Sequence, residues 1–106
     1  MSEYQKAFGK NLRNLRQLRS MTQEQLAERA ELSVQHIGAL EKGAGNPTLN
    51  SLERIASALS IGIEELFALE EFKRSSEEMK NELISFIRDC SDEQLARLYA
   101  ISRLIS

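Results

Sequence analysis

Between Ser33 and Lys42 the chain reads SVQHIGALEK, and about 100° per residue from Val34 puts Val34, Gln35, Gly38, Ala39 and Lys42 on one arc of about 140°. Ile37, Leu40 and Glu41 fall outside that arc. Only Gln35 and Lys42 bring hydrogen-bonding side chains to it. A glutamine amide can pair in bidentate fashion with N6 and N7 of an adenine, and a valine can touch a thymine methyl. Such side chains are unremarkable on an ordinary solvent-facing helix and gain meaning only if the helix is presented to a major groove, where Gly38, which costs a helix interior about 0.5 to 1 kcal/mol, makes sense as a close approach of the backbone. Bond-making chemistry has no comparable set. One His (His36) and one Cys (Cys90) cannot build a zinc site. Glu64 and Glu65 read as charges at a helix N-terminus rather than as a catalytic pair. With no triad and no Gly-rich phosphate loop, no enzyme, metal or cofactor is expected.

The elements that must position this arc are helices, because apolar residues recur at three and four positions rather than two. The pattern predicts an all-α protein. A first helix from about Tyr4 to Arg19 carries Phe8, Leu12, Leu15 and Leu18 as its stripe. Thr22 with Gln25 is a capping box opening a two-turn helix that buries Leu26, Ala27 and Ala30. After a short turn, Ser33 caps a third helix ending near Lys42, where Gly43, Ala44, Gly45, Asn46 and Pro47 break the pattern. Thr48 caps a fourth helix with Leu52, Ile55, Ala56 and Leu59 inward, and a fifth runs from about Ile63 through Phe67 and on toward Phe72. Two short helices joined by a turn of three or four residues have the spacing of a helix-turn-helix: Ala27 is small where they cross, Leu32 is apolar in the turn, and Ile37 and Leu40 seat the second on the first.

A chain of 106 residues holds one compact domain with a short accessory element. Hydrophobic residues at 42%, charged residues at 28% and a single Pro are the composition of a folded, helix-rich chain. No apolar run approaches a membrane span and the start MSEYQKAFGK lacks a signal-peptide core, so a reducing cytoplasm is the expected location. The net charge of −2 argues against a polyanionic partner, but its distribution does not. Lys6, Lys10, Arg13, Arg16 and Arg19 against Glu3 give the first 19 residues a local charge of +4, while residues 69–106 carry −2. Lys6, Lys10 and Arg13 read equally well as a solvated face and as phosphate anchors.

From Leu12 to Phe67 the sequence resembles the Xre/Cro and lambda-repressor-like helix-turn-helix domain. The resemblance implies a sequence-specific, usually dimeric transcription regulator that binds a double-stranded DNA operator, with residues 1–70 as a five-helix DNA-binding domain. The family's polar signature falls on Arg16, Gln23, Glu41, Gly43 and Pro47. It implies that Arg16 pairs with Glu41 to orient the recognition helix, that Gln23 grips a phosphate, and that Val34, Gln35 and Ala39 read bases. Thr22, Ser33, His36, Lys42, Asn46 and Arg13 complete the expected phosphate contacts. Glu31 and Ser60 stand where the family commonly has Gly, so a left-handed backbone at either carries mild strain.

Residues 71–106 repeat the helical logic as an αα-hairpin. Ser75 with Glu78 and Ser91 with Gln94 are capping boxes, and Met79, Leu83, Phe86, Ile87 and Cys90 form a stripe on which Cys90 is expected in the core. The last helix is apolar over a wide arc, with Leu95, Leu98, Ile101, Leu104 and Ile105, more than two helices bury alone. Packing back around Phe67, Leu69 and Phe72 is one solution. Self-association through these five residues into a homodimer is favoured, since a two-fold operator presents half-sites about 34 Å apart. A protein or peptide partner at the hairpin, as in an antitoxin or an interaction module, is the alternative.

Overall fold

Each helix of the N-terminal half begins on a Ser or Thr whose hydroxyl satisfies a backbone N–H that the first turn leaves without a partner. In the computed structural model, which describes residues 2–105, these helices are α1 (Glu3–Leu18), α2 (Gln23–Ala30), α3 (Val34–Glu41) and α4 (Leu49–Ala58). Ser2, Thr22, Ser33 and Thr48 accept from the N–H three residues on, and the first two complete capping boxes with Gln5 and Gln25. No strand occurs among the described residues.

The four helices also end alike. In each, the residue after the last turn is left-handed and the chain closes with paired backbone bonds of the Schellman type. Met21 and Ser20 donate to Arg16 and Gln17, Leu32 and Glu31 to Ala27 and Glu28, Ala44 and Gly43 to Ala39 and Leu40, and Ile61 and Ser60 to Ala56 and Ser57. Gly43 supplies the left-handed residue in one case. Ser20, Glu31 and Ser60, at φ of 55°, 56° and 58°, supply it in the other three, so the strain expected at Glu31 and Ser60 is present and Ser20 adds a third instance. Arg54 on α4 donates to the Glu31 carbonyl at 3.3 Å, tying down the turn between α2 and α3.

Leu12, Leu26, Ile37, Ile55, Leu59 and Leu66 are fully buried, with Phe8, Ala27, Ala30, Leu40 and Ala56 around them. Leu18 is not part of this core: it is 77% exposed. The buried line on α1 runs Phe8, Leu12, Arg16, and Leu18 stands about 200° around the helix from Arg16. Gly9 is buried on the same helix where it crosses the end of α3. A methyl there would lie 2.7 Å from the Glu41 carbonyl oxygen and closer still to that of Leu40.

The expected fifth α-helix is instead two short 3-10 segments, Ile63–Phe67 and Glu70–Phe72. Gly62 offers no side-chain cap to the first of them. The Asn11 amide then takes the Glu65 and Leu66 carbonyls at 3.1 and 2.8 Å, so those oxygens do not extend an α-helical ladder.

The chain divides into two units, Met1–Leu69 and Glu70–Ser106. The second comprises the segment Glu70–Phe72 and helices α5 (Ser76–Asp89) and α6 (Asp92–Ile105). Ser75 caps α5 through a single bond, whereas Ser91 and Gln94 bond reciprocally. Cys90 is not a core residue. It sits half-buried at the corner, in extended backbone where α5 ends, and its thiol donates to the Ile87 carbonyl.

Candidate nucleic-acid interface

One polar cluster ties the end of α3 to α1 and α2. Arg16 reaches from α1 to the last residue of α3, with Nε 2.7 Å from Oε2 and Nη2 3.0 Å from Oε1 of Glu41. Its remaining nitrogen, Nη1, donates to the Met21 carbonyl at 2.7 Å in the turn before α2. Gln23, the first residue of α2, donates Nε2 to Glu41 Oε1 at 3.1 Å. Side-chain exposures of 11% for Arg16 and 4% for Glu41 put the pair inside the protein. The Glu41 hydrogen bond raises the Arg16 pKa further above its ordinary value, against an opposing pull from burial, so the guanidinium stays charged at any accessible pH. A fork-on-carboxylate pair fixes direction as well as distance. Three helices converge on the cluster, which joins the core packing of Ile37 and Leu40 in holding α3 against α1 and α2.

The expected pairing of Arg16 with Glu41 is what the structure contains. Gln23 has a contact that sequence did not reveal: one of its two amide hydrogens is committed to Glu41. A methyl added to Gly38 would come 3.8 Å from Gln23 Oε1, so the Gln23 amide lies beside the glycine of the arc.

The other residues expected at the interface lie at or near the surface. Gln35 is exposed, and Ala39 and His36 are half-buried. Val34 is also half-buried and packs partly on the core, so some of its surface belongs to the fold. Ser33 and Thr22 are exposed caps whose oxygens accept a backbone N–H while their protons remain available to an anion. Lys42 is exposed at the C-cap, just past the end of α3. Asn46 lies in the following loop, its Oδ1 accepting from Gln5 Nε2 at 3.3 Å. Arg13 is exposed on α1, about two turns along the helix from Lys6.

Two crossed short helices joined by the Gln23–Glu41 hydrogen bond, the second tied to α1 by a buried ion pair and carrying a partly exposed arc, define a helix-turn-helix of the lambda-repressor-like fold. Comparison with known proteins gives the family. The Helix-turn-helix family model matches residues 12–66, and the chain belongs to this Xre-like family. The immunity repressor protein of Bacillus phage phi105 is 37% identical over 79 residues, covering 69% of this chain and 55% of the repressor. The HTH-type transcriptional regulator y4dJ of Sinorhizobium fredii is 36% identical over 64 residues, 60% of this chain and 83% of that one. Among solved structures, the restriction-modification controller protein C.AhdI from Aeromonas hydrophila superposes with a TM-score of 0.59 at 36% identity, over 59% of this chain and 96% of that chain. The match thus spans about half the length of the phage repressor and nearly all of the controller protein.

Proposed function

We propose that this protein is a DNA-binding transcription regulator that acts as a repressor, a dimer inserting α3 into successive major grooves of a two-fold-related operator. The observation that carries the reading is the Arg16–Glu41–Gln23 cluster, which holds α3 rigidly while leaving Gln35 exposed. Rigid presentation of a short helix is what base readout requires, because bidentate contacts tolerate little angular error. In this scheme Gln35, Val34 and Ala39 discriminate bases. Thr22, Gln23, Ser33, His36, Lys42, Asn46 and Arg13 hold phosphates and set the register. Among the described residues no helix is long and apolar enough to cross a membrane, which suits work on DNA in the cytoplasm.

Dimerisation is assigned to the hairpin. No described side chain of α5 or α6 is buried, and Leu95, Ile101, Leu104 and Ile105 are each 40–53% exposed, with Leu98 half-buried beside them. The same open face favours a second reading, in which a protein or peptide partner covers it and controls DNA binding. Selection of random duplex DNA by the purified protein at about physiological salt tests the main proposal. A palindromic site with half-sites one turn apart is the expected result, and absence of enrichment by folded protein rejects it. Light scattering separates a self-dimer from a monomer that awaits a partner.

A further inference from the structure

The first turns of α1 lie against the loop that leaves α3, and their charge is unspent. With about 100° per residue, Lys6, Lys10 and Arg13 fall within an arc of about 60°, roughly 100° to 160° around α1 from the buried Leu12. Gly9, whose missing side chain lets the Leu40 and Glu41 carbonyls approach, lies about 60° from Leu12 on that same side. The basic arc therefore borders the end of α3. A side chain on Gly43 would stand 2.8 Å from the Lys6 Cα, so the Lys6 backbone is fitted against the residue that follows Lys42. One residue earlier, Gln5 Nε2 donates to Asn46 Oδ1, which points the donor end of the Asn46 amide away from Gln5. Lys6, Lys10 and Arg13 are all exposed, and among the described residues none is paired with a carboxylate, whereas Arg16, Arg54 and Arg97 are.

We infer that the DNA contact proposed for Arg13 runs along the whole basic arc of α1: Lys6 and Lys10 continue the line of Lys42 and Asn46 along the phosphate backbone as far as Arg13. The contact is independent of base sequence, and it explains how a chain of net charge −2 with only one good base-reading side chain holds a polyanion. It rests on the DNA-binding proposal above. The competing role for these lysines is purely structural, as cations beside the carbonyl end of α3.

The test is the salt dependence of binding by the full-length K6A/K10A double variant on the selected duplex and on random duplex. The control is K80A/R88A, which removes the same charge from α5. Each lost phosphate contact flattens the slope of log K against log salt by about 0.9, so the expected loss is about 1.8 per bound chain on both duplexes. The preference for the selected site should hold within about twofold, and the control should keep the wild-type slope. An unchanged slope in the α1 variant, with wild type binding normally, overturns the inference while leaving the DNA-binding proposal intact. So does an equal loss in the control, which would make the effect one of net charge. A lowered melting temperature with an unchanged slope assigns the lysines to the structural role. Failure of the wild type to bind any duplex removes both proposals together.

Discussion

Replacing Gly38 by Ala separates the needs of the fold from those of the interface, because the two predict opposite signs. In the free protein a Cβ at this position meets only Gln23 Oε1, at an ordinary contact distance of 3.8 Å, and the helical backbone of α3 suits Ala. Removing the extra chain entropy of Gly from a helix interior is worth about 0.5 to 1 kcal/mol. For a unit of this size that raises the melting temperature by roughly 2 to 8 °C. On DNA the same methyl stands on the arc between Val34 and Lys42 and holds the helix away from the groove. A helix displaced enough to lose one bidentate base contact forfeits about 1 to 3 kcal/mol, roughly a 5- to 150-fold weaker complex. Scanning calorimetry and fluorescence anisotropy on the selected duplex measure the two effects. A lower melting temperature would mean that the space beside Gln23 does not exist as described. A higher one with unchanged affinity would mean that this arc does not face DNA.

Four further outcomes follow from named contacts. Gln35→Ala should lose about 1 to 3 kcal/mol on the selected site and almost nothing on random DNA, measured by competition binding; equal losses on both would remove Gln35 from base reading. Gly9→Ala should cost at least about 1 to 3 kcal/mol in urea denaturation, because the methyl collides with backbone rather than a movable side chain, and a neutral result would contradict the crossing of α1 and α3. Glu41→Gln strands the Arg16 charge inside the protein and should destabilise it by about 3 to 5 kcal/mol, where a change under about 1 kcal/mol would show the pair to be dispensable. Ser60→Gly relieves a left-handed residue and should raise stability by up to about 1 kcal/mol in the same assay, and a decrease would refute strain at that position.

The local signals were legible because they depend on residues three or four apart. Thr22 with Gln25, Ser33 and Thr48 fix helix starts through their own hydroxyls, and these caps form as the spacing predicts. Ala27, Ile37 and Leu40 were legible as packing residues for the same reason. Gly9 was not, since nothing in its neighbours along the chain announces that two carbonyls of α3 approach it. Leu18 continues a three-and-four pattern, yet the core under α1 ends at Arg16, and only the crossing helices decide where a stripe stops. Cys90 illustrates the same limit at a helix end: periodicity extends one residue past the point where the backbone turns extended. Within the interface, the Arg16–Glu41 pair came from the family pattern. The Gln23 bond to Glu41 needs the three-dimensional approach of α2 to the end of α3, which no spacing rule encodes.

In the proposed complex, orientation and reading fall on almost separate sets of residues. Arg16, Gln23 and Glu41 aim α3, while Gln35 and Ala39 lie outside that cluster and their replacement leaves it standing. Target preference can therefore drift, or be transplanted from another regulator of this fold, by exchanging those two side chains with little toll on folding. Val34 is the exception, since its partial seat on the core ties any change of preference there to a change in packing. Divergence of such regulators should accordingly run ahead at the second and sixth residues of α3 and lag at the first.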